Sequence, residues 1–189
     1  MIRIGILGDI GSGKSFIAKS FGYPVFNADN EVGKLYKKNR KIFIKLNKAL
    51  PKYITHFPIK KQEILRSILV NKNNLKKIIK IIHPEVRKKM NIFIKKNRKK
   101  KYVILDVPLL LENKINRKKD ILVFIESKKM QILKRLKKRK NFDYKIINKF
   151  SKIQLPLDYK RKKSNFIIRN NFTNRFIKKQ IKYILNQIS

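Results

Sequence analysis

The sequence predicts an α/β fold: a five-stranded, mainly parallel sheet flanked by helices, with a helical insertion between the second and third strands and a lid segment after the fourth. Three observations carry the prediction. Short apolar runs rich in Ile and Val, near residues 2–7, 24–26, 101–106, 121–125 and 166–169, are separated by stretches whose apolar residues recur every three or four positions. That pattern is the one of strands joined by crossover helices. The first run leads directly into Gly8-Asp9-Ile10-Gly11-Ser12-Gly13-Lys14-Ser15, which has the Gly-x-x-x-x-Gly-Lys-Ser spacing of a phosphate-binding loop (P-loop). The third run ends in Asp106, an acid at the tip of an otherwise apolar strand.

Each element has its own justification. Ile2, Ile4, Ile6 and Leu7 make the first strand, and Phe16, Ile17, Ala18 and Phe21 lie on one face of a helix that stops at Gly22. Between them, Gly11, Ser12, Gly13, Lys14 and Ser15 bring backbone N–H groups together on phosphate oxygens. Lys14 reaches the terminal phosphates, Ser15 offers its hydroxyl to Mg²⁺, and the helix N-terminus adds a favourable dipole. Pro24-Val25-Phe26 reads as a short second strand that delivers Asn27-Ala28-Asp29 to the carboxyl rim of the sheet, where open α/β sheets bind ligands. Asp29 there fits two roles: a carboxylate that orients or deprotonates a hydroxyl, or an N-cap for the helical pattern Val32, Leu35, Tyr36. Residues 30–100 are helical, with Pro51, Pro58 and Pro84 expected to divide them into separate helices. His83-Pro84 is expected to open the last of these, with Arg87 one turn inside. Taken alone, His83 reads as a cap or packing residue. Asp106 has the form of a Walker-B carboxylate beside the metal, with a buried capping Asp as the other reading. In a helix over 128–139, Arg135 and Arg139 stand four apart on one face, the spacing of a phosphate clamp. Residues 140–163 are charged and suit a lid of short helices around Pro156. A closing helix from Asn174 buries Ile177, Ile181, Ile184, Leu185 and Ile188.

Composition sets the limits. The 189 residues suit a single domain, 1–189, and 42% hydrophobic content excludes wholesale disorder. With 51 Lys and Arg against 11 Asp and Glu, the formal charge is +40. Such a charge raises nucleic acid as a partner. Lys, Asn, Ile and Phe are enriched throughout, however, which reads as compositional drift and not as a dedicated reading surface, so no specific nucleic-acid partner is expected. No cysteine is present, which excludes disulfides and cysteine-bearing metal sites. No apolar run reaches membrane-spanning length, and the first strand begins at residue 2, so a cytoplasmic protein without a signal peptide or membrane partner is expected. The sequence leaves the oligomeric state open.

Taken together, these segments resemble the dephospho-coenzyme A kinases, a P-loop NTPase family with the fold of the nucleoside monophosphate kinases. The resemblance spans nearly the whole chain. It rests on the phosphate loop, on Asn27-Ala28-Asp29 where the family has Asp-Ala-Asp, on His83-Pro84 with Arg87, and on Asp106-Val107-Pro108-Leu109-Leu110-Leu111-Glu112. Arg135-Leu136 with Arg139, then Gln154, Pro156, Lys160 and Asn170, complete it. The resemblance implies transfer of the ATP γ-phosphoryl group to the ribose 3′-hydroxyl of dephospho-coenzyme A, with ATP and Mg²⁺ required. It implies Asp29 as base or orienting group, Lys14 and Arg139 on the transferring phosphoryl, and Arg135 and Asn170 on the nucleotide. Ser15 and Asp106 fall on the metal side, and His83, Arg87, Asp29 and Asp106 towards the acceptor, with the 30–100 insertion as its binding region. The departures are Asp9 for a usual Gly, Phe16 for Thr, Asn27 for Asp, Ser164-Asn165 for Ala-Asp, and Arg169 at an often acidic position. Two other readings stand beside this one: another small-molecule kinase of the same fold, and a nonenzymatic basic protein that binds nucleic acid.

Overall fold

The computed structural model describes residues 1–138 and 143–189. Among the described residues one sheet has five strands, all parallel, in the order β2-β3-β1-β4-β5. They are β1 (Ile2–Gly8), β2 (Val25–Asn27), β3 (Tyr102–Asp106), β4 (Ile121–Glu126) and β5 (Phe166–Arg169). Parallel strands need crossovers, which cover both faces of the sheet with helices, so the central strands read as unbroken apolar runs instead of alternating ones. β3 is buried at all five positions. In β1, only Ile2 is less than fully buried.

Around the sheet lie α1 (Lys14–Ser20), α6 (Lys129–Lys137), α8 (Leu157–Lys162) and α9 (Asn174–Gln187). Ile17, Ala18 and Phe21 join Ile177, Ile181 and Ile184 of α9 in a core built on Ile4, Ile6, Tyr102, Ile104, Val123, Ile125 and Ile168. Burying each of the Ile, Val and Phe side chains contributes roughly 1.5–3 kcal/mol. At the foot of the sheet, Arg3 is paired with Asp120 at 2.8 Å, both side chains buried, and Asp120 Oδ2 also accepts from Arg117 N at 2.9 Å. Burial pushes the Asp120 carboxyl above its ordinary value, while the Arg117 N–H and the Arg3 charge pull the other way.

The chain divides into two compact units. The first, residues 1–27, 97–143 and 151–189, carries the sheet. The second, residues 28–96 and 144–150, is helical and contains α2 (Ala28–Lys38), α3 (Arg40–Ala49), α4 (Lys61–Val70), α5 (Lys72–Lys96) and all but the last residue of α7 (Tyr144–Ser151). The α3 N-cap is Asn39, whose side chain accepts from Ile42 N at 3.0 Å. Lys149 of α7 donates to the Ile68 carbonyl at 2.7 Å and to that of Leu69, satisfying the C-terminal end of α4.

One boundary expectation fails here. Pro84 does not separate two helices but lies inside the continuous 25-residue α5, so His83 neither opens nor caps a helix. An interior proline removes one backbone hydrogen bond and costs about 3 kcal/mol. The apolar stripe runs through the position unbroken, with Leu75, Ile78 and Ile82 before it and Val86, Met90 and Ile94 after it, all buried. Burial of two of these side chains is enough to offset the lost turn. Among the described residues no helix is long and apolar enough to cross a membrane.

Candidate active site

The phosphate loop takes its shape from residues that cannot be exchanged for bulkier ones. Gly13 has φ 92°, and a Cβ there would stand 2.5 Å from Asn170 Nδ2. Gly11, at φ 86°, would press a Cβ to within about 3 Å of Ile132 and Leu136 of α6. Both positions therefore need glycine for backbone angle and for space. α1 begins at Lys14 with Gly13 as its N-cap, so the loop hands directly onto a helix N-terminus.

The Ser12 carbonyl is held from two sides. Ser127 Oγ, just beyond β4, donates to it at 2.9 Å, and Asn170 Nδ2, just beyond β5, at 2.7 Å. In a trans peptide the carbonyl and the next N–H point opposite ways, so anchoring Ser12 O towards the sheet ends turns the Gly13 N–H into the loop's hollow. Asn170 is itself buried, donates its own N–H to Glu126 O at 2.7 Å, and accepts from Phe172 N at 2.8 Å through Oδ1. Its amide thus supports the loop. Lys14 Nζ donates to the Gly8 carbonyl at 3.1 Å and the Asp9 carbonyl at 2.6 Å, curling over the loop that it closes. The Asp9 carboxylate accepts from Ile10 N at 2.6 Å. It lines a cleft of about 580 Å³ with Glu126, Lys129, Gln154, Pro156 and Arg161.

Next to the loop, β3 brings Asp106 to the carboxyl edge, opposite Asn27 of β2 in the parallel register. Asn27 Nδ2 donates to Asp106 Oδ2 and lies 3.5 Å from Ser15 Oγ. Ser15 and Asp106, the two expected metal-side groups, are thereby gathered around one amide. A hydroxyl and a carboxylate are hard oxygen donors, the kind that Mg²⁺ accepts while keeping most of its shell as water and phosphate oxygens. The residues present fit that ion.

Asp29 follows two residues after β2 and lies in the first turn of α2, one residue inside its start, with an exposed side chain. As an N-terminal carboxylate it is stabilised by the α2 dipole. His83 and Arg87 lie one turn apart on α5 and line an open groove of about 640 Å³ with Lys80, Lys88 and Asn91. Arg135 stands in the last turn of α6, and its guanidinium lies 4.3 Å from the centre of the Phe172 ring. Arg139 falls outside the described residues.

Glu112, after β3, and Lys160, in α8, form a buried pair. Glu112 Oε1 pairs with Lys160 Nζ at 2.7 Å and accepts from Leu155 N at 3.0 Å, with side-chain exposures of 9% for Glu112 and 1% for Lys160. Lys160 also donates to Gln154 Oε1 at 2.8 Å. The pair ties residues 154–160, with α8 and its N-cap Pro156, to the segment after β3. Within its charge run nothing local separates Lys160 from its exposed neighbours, and only the resemblance singles it out.

The comparisons with known proteins agree with one another. A family model described as dephospho-CoA kinase matches residues 2–175. The dephospho-CoA kinase of Wolbachia pipientis wMel is 34% identical over 191 aligned residues, which take in 98% of this chain and 97% of the relative. That of Rickettsia typhi is 32% identical over 192 residues, covering 100% of this chain and 98% of the relative. A solved structure from Thermus thermophilus matches with a TM-score of 0.76 at 23% identity, covering 100% of this chain and 98% of its own. The dephospho-CoA kinase from Campylobacter jejuni matches with a TM-score of 0.65 at 21% identity, covering 99% and 96%. At such identities the structural likeness shows the fold.

Proposed function

Given that this chain belongs to the dephospho-CoA kinase family, we propose that it moves the ATP γ-phosphoryl group onto the ribose 3′-hydroxyl of dephospho-coenzyme A, with the roles divided as follows. The N–H groups of residues 11–15 and Lys14 hold the phosphates. Ser15 and Asp106 hold Mg²⁺, which neutralises phosphate charge when bound. The Asp29 carboxylate orients the acceptor hydroxyl and takes its proton as the oxygen bonds to the γ-phosphorus and the bond to the β-phosphate oxygen breaks. ADP and coenzyme A result. Arg135 and Arg139 balance the charge on the nucleotide side. His83 and Arg87, with the groove on α5, contact the acceptor, whose own phosphates suit that basic wall. Such a reaction asks a protein mainly for alignment and charge balance. We place it in the cytoplasm, where ATP is supplied.

The observation that carries the assignment is the Asn27 amide joining Ser15 and Asp106 beside the phosphate loop. It supports a site built for a metal-bound triphosphate more than one built for a nucleic-acid backbone, which needs no such internal arrangement. An acceptor panel with ATP tests the substrate: dephospho-coenzyme A should outrun nucleosides and their monophosphates, and no acceptor-stimulated ATP consumption at all would reject the kinase. Asp29→Asn should lower kcat by about 10²–10⁴ while ATP affinity stays within about twofold. Unchanged turnover would remove Asp29 from its role.

A further inference from the structure

Phe172 carries a backbone conformation that its side chain does not favour. Its φ is 63°, in the left-handed region where a Cβ crowds the following carbonyl oxygen and where glycine or asparagine is the usual occupant. The local turn does not call for an aromatic residue. Its hydrogen bonds, Phe172 N to Asn170 Oδ1 at 2.8 Å and Thr173 N to Asn171 Oδ1 at 3.1 Å, are made by backbone donors that any residue but proline would supply.

The ring has a use of its own. The Arg135 guanidinium lies over it with Cζ 4.3 Å from the ring centre. The ring edge fills the space left by the missing side chain of Gly13, with Cε1 3.3 Å from where a Cβ would stand. Phe172 is half-buried, and Arg135 is exposed. A guanidinium held over one aromatic face can still offer its other face and N–H groups to a ligand. Bracing it beforehand removes much of the ordering cost of a long, flexible cation.

We propose that Phe172 is a positioning residue for the donor nucleotide, its ring bracing Arg135 beside the phosphate loop at the expense of an unfavourable backbone angle. The inference rests on the kinase reading for the identity of the nucleotide, and its test is separable from that reading. Phe172→Gly, Phe172→Ala and Phe172→Tyr are compared in ATP binding without acceptor, in steady-state kinetics and in thermal melting. The Gly and Ala variants should both raise the Kd and KM for ATP about two- to fivefold, the range of an exposed cation–ring contact. In those variants kcat should fall less than ATP affinity, and the KM for dephospho-coenzyme A should hold. Phe172→Tyr should bind ATP as the wild type does. Stability should follow the backbone instead: the Ala variant should melt about 2–8 °C below the Gly variant. A Gly variant that binds ATP as tightly as the wild type, or Gly and Ala variants of equal melting temperature, would overturn the proposal. A wild type that binds ATP with this ring dependence yet leaves dephospho-coenzyme A untouched would reject the substrate assignment alone.

Discussion

Asn27 shows how much a single atom decides at this site. Its Nδ2 donates to Asp106 Oδ2, from 79 positions away in the chain, and approaches Ser15 Oγ. Asn27→Asp would replace that donor with a second carboxylate against Asp106. A hydrogen bond to a charged group would be exchanged for repulsion, costing about 1–3 kcal/mol without a cation. The variant should therefore melt lower than the wild type when free of ligand and recover most of the difference with Mg²⁺ and ATP. Melting scans in the two states check this, and a deficit of equal size in both would mean that no cation enters between the two side chains. Lys14, Ser15 and Asp106 were legible from sequence because their positions are set by local spacing. Ser127 was not, and for Asn27, Glu112 and Lys160, which the resemblance singled out, the partners were not, because the fold brings each partner from a distant segment. Asp29 is intermediate: its place just after the second strand was readable from the sequence, while the choice between base and N-cap was not. The helix begins at Ala28 and leaves Asp29 inside the first turn.

For the elements, the strands were legible almost to their ends, since each of the five parallel strands leaves an apolar run. The α5 helix was not, because a proline is read locally as a stop while the energy that overrides it is spread along a stripe from Leu75 to Ile94. β1 carries the next prediction. Arg3 and Asp120 are buried together, and burial is the largest influence on Asp120, raising its carboxyl above the ordinary range despite the opposing pull of the Arg117 N–H and Arg3. Arg3→Met would remove one of those downward pulls, so the carboxyl would rise further. A carboxyl raised in the folded state contributes fully below its unfolded value and loses that contribution as pH climbs through the folded one. The variant should thus be destabilised most near about pH 8, by roughly 3–5 kcal/mol, and should regain part of this near about pH 5. Urea titrations at the two pH values measure it; equal losses would mean that Asp120 is not the charge Arg3 offsets.

Across the molecule, charge dominates. Glu126 serves two arginines, Arg161 at 3.3 Å and Arg169 at 3.5 Å, and such exposed pairs contribute little. At +40 the folded chain repels itself. Raising NaCl from about 0.02 to about 0.2 M shortens the screening length from roughly 20 Å to roughly 7 Å, and the melting temperature should rise by several degrees. A flat or falling trend would show that the cations are already neutralised locally. The charge itself was plain in the sequence, and so was a helical insertion between the second and third strands, whereas the return of residues 144–150 to that helical unit was not, since contacts and not composition define it.

The strand order has a consequence for biosynthesis. β1 precedes the other four strands in the chain and is also the middle of the sheet, and its neighbours are β3 and β4: Ile2 sits against Tyr102, and Ile4 against Ile104 and Ile121. Residues 9–101 must therefore be translated after β1 before either edge of that apolar ribbon acquires its native companion. Until then the nascent chain holds an adhesive segment in waiting, and shielding it falls to the cell's folding helpers and to the like-charged lysines that keep neighbouring chains apart.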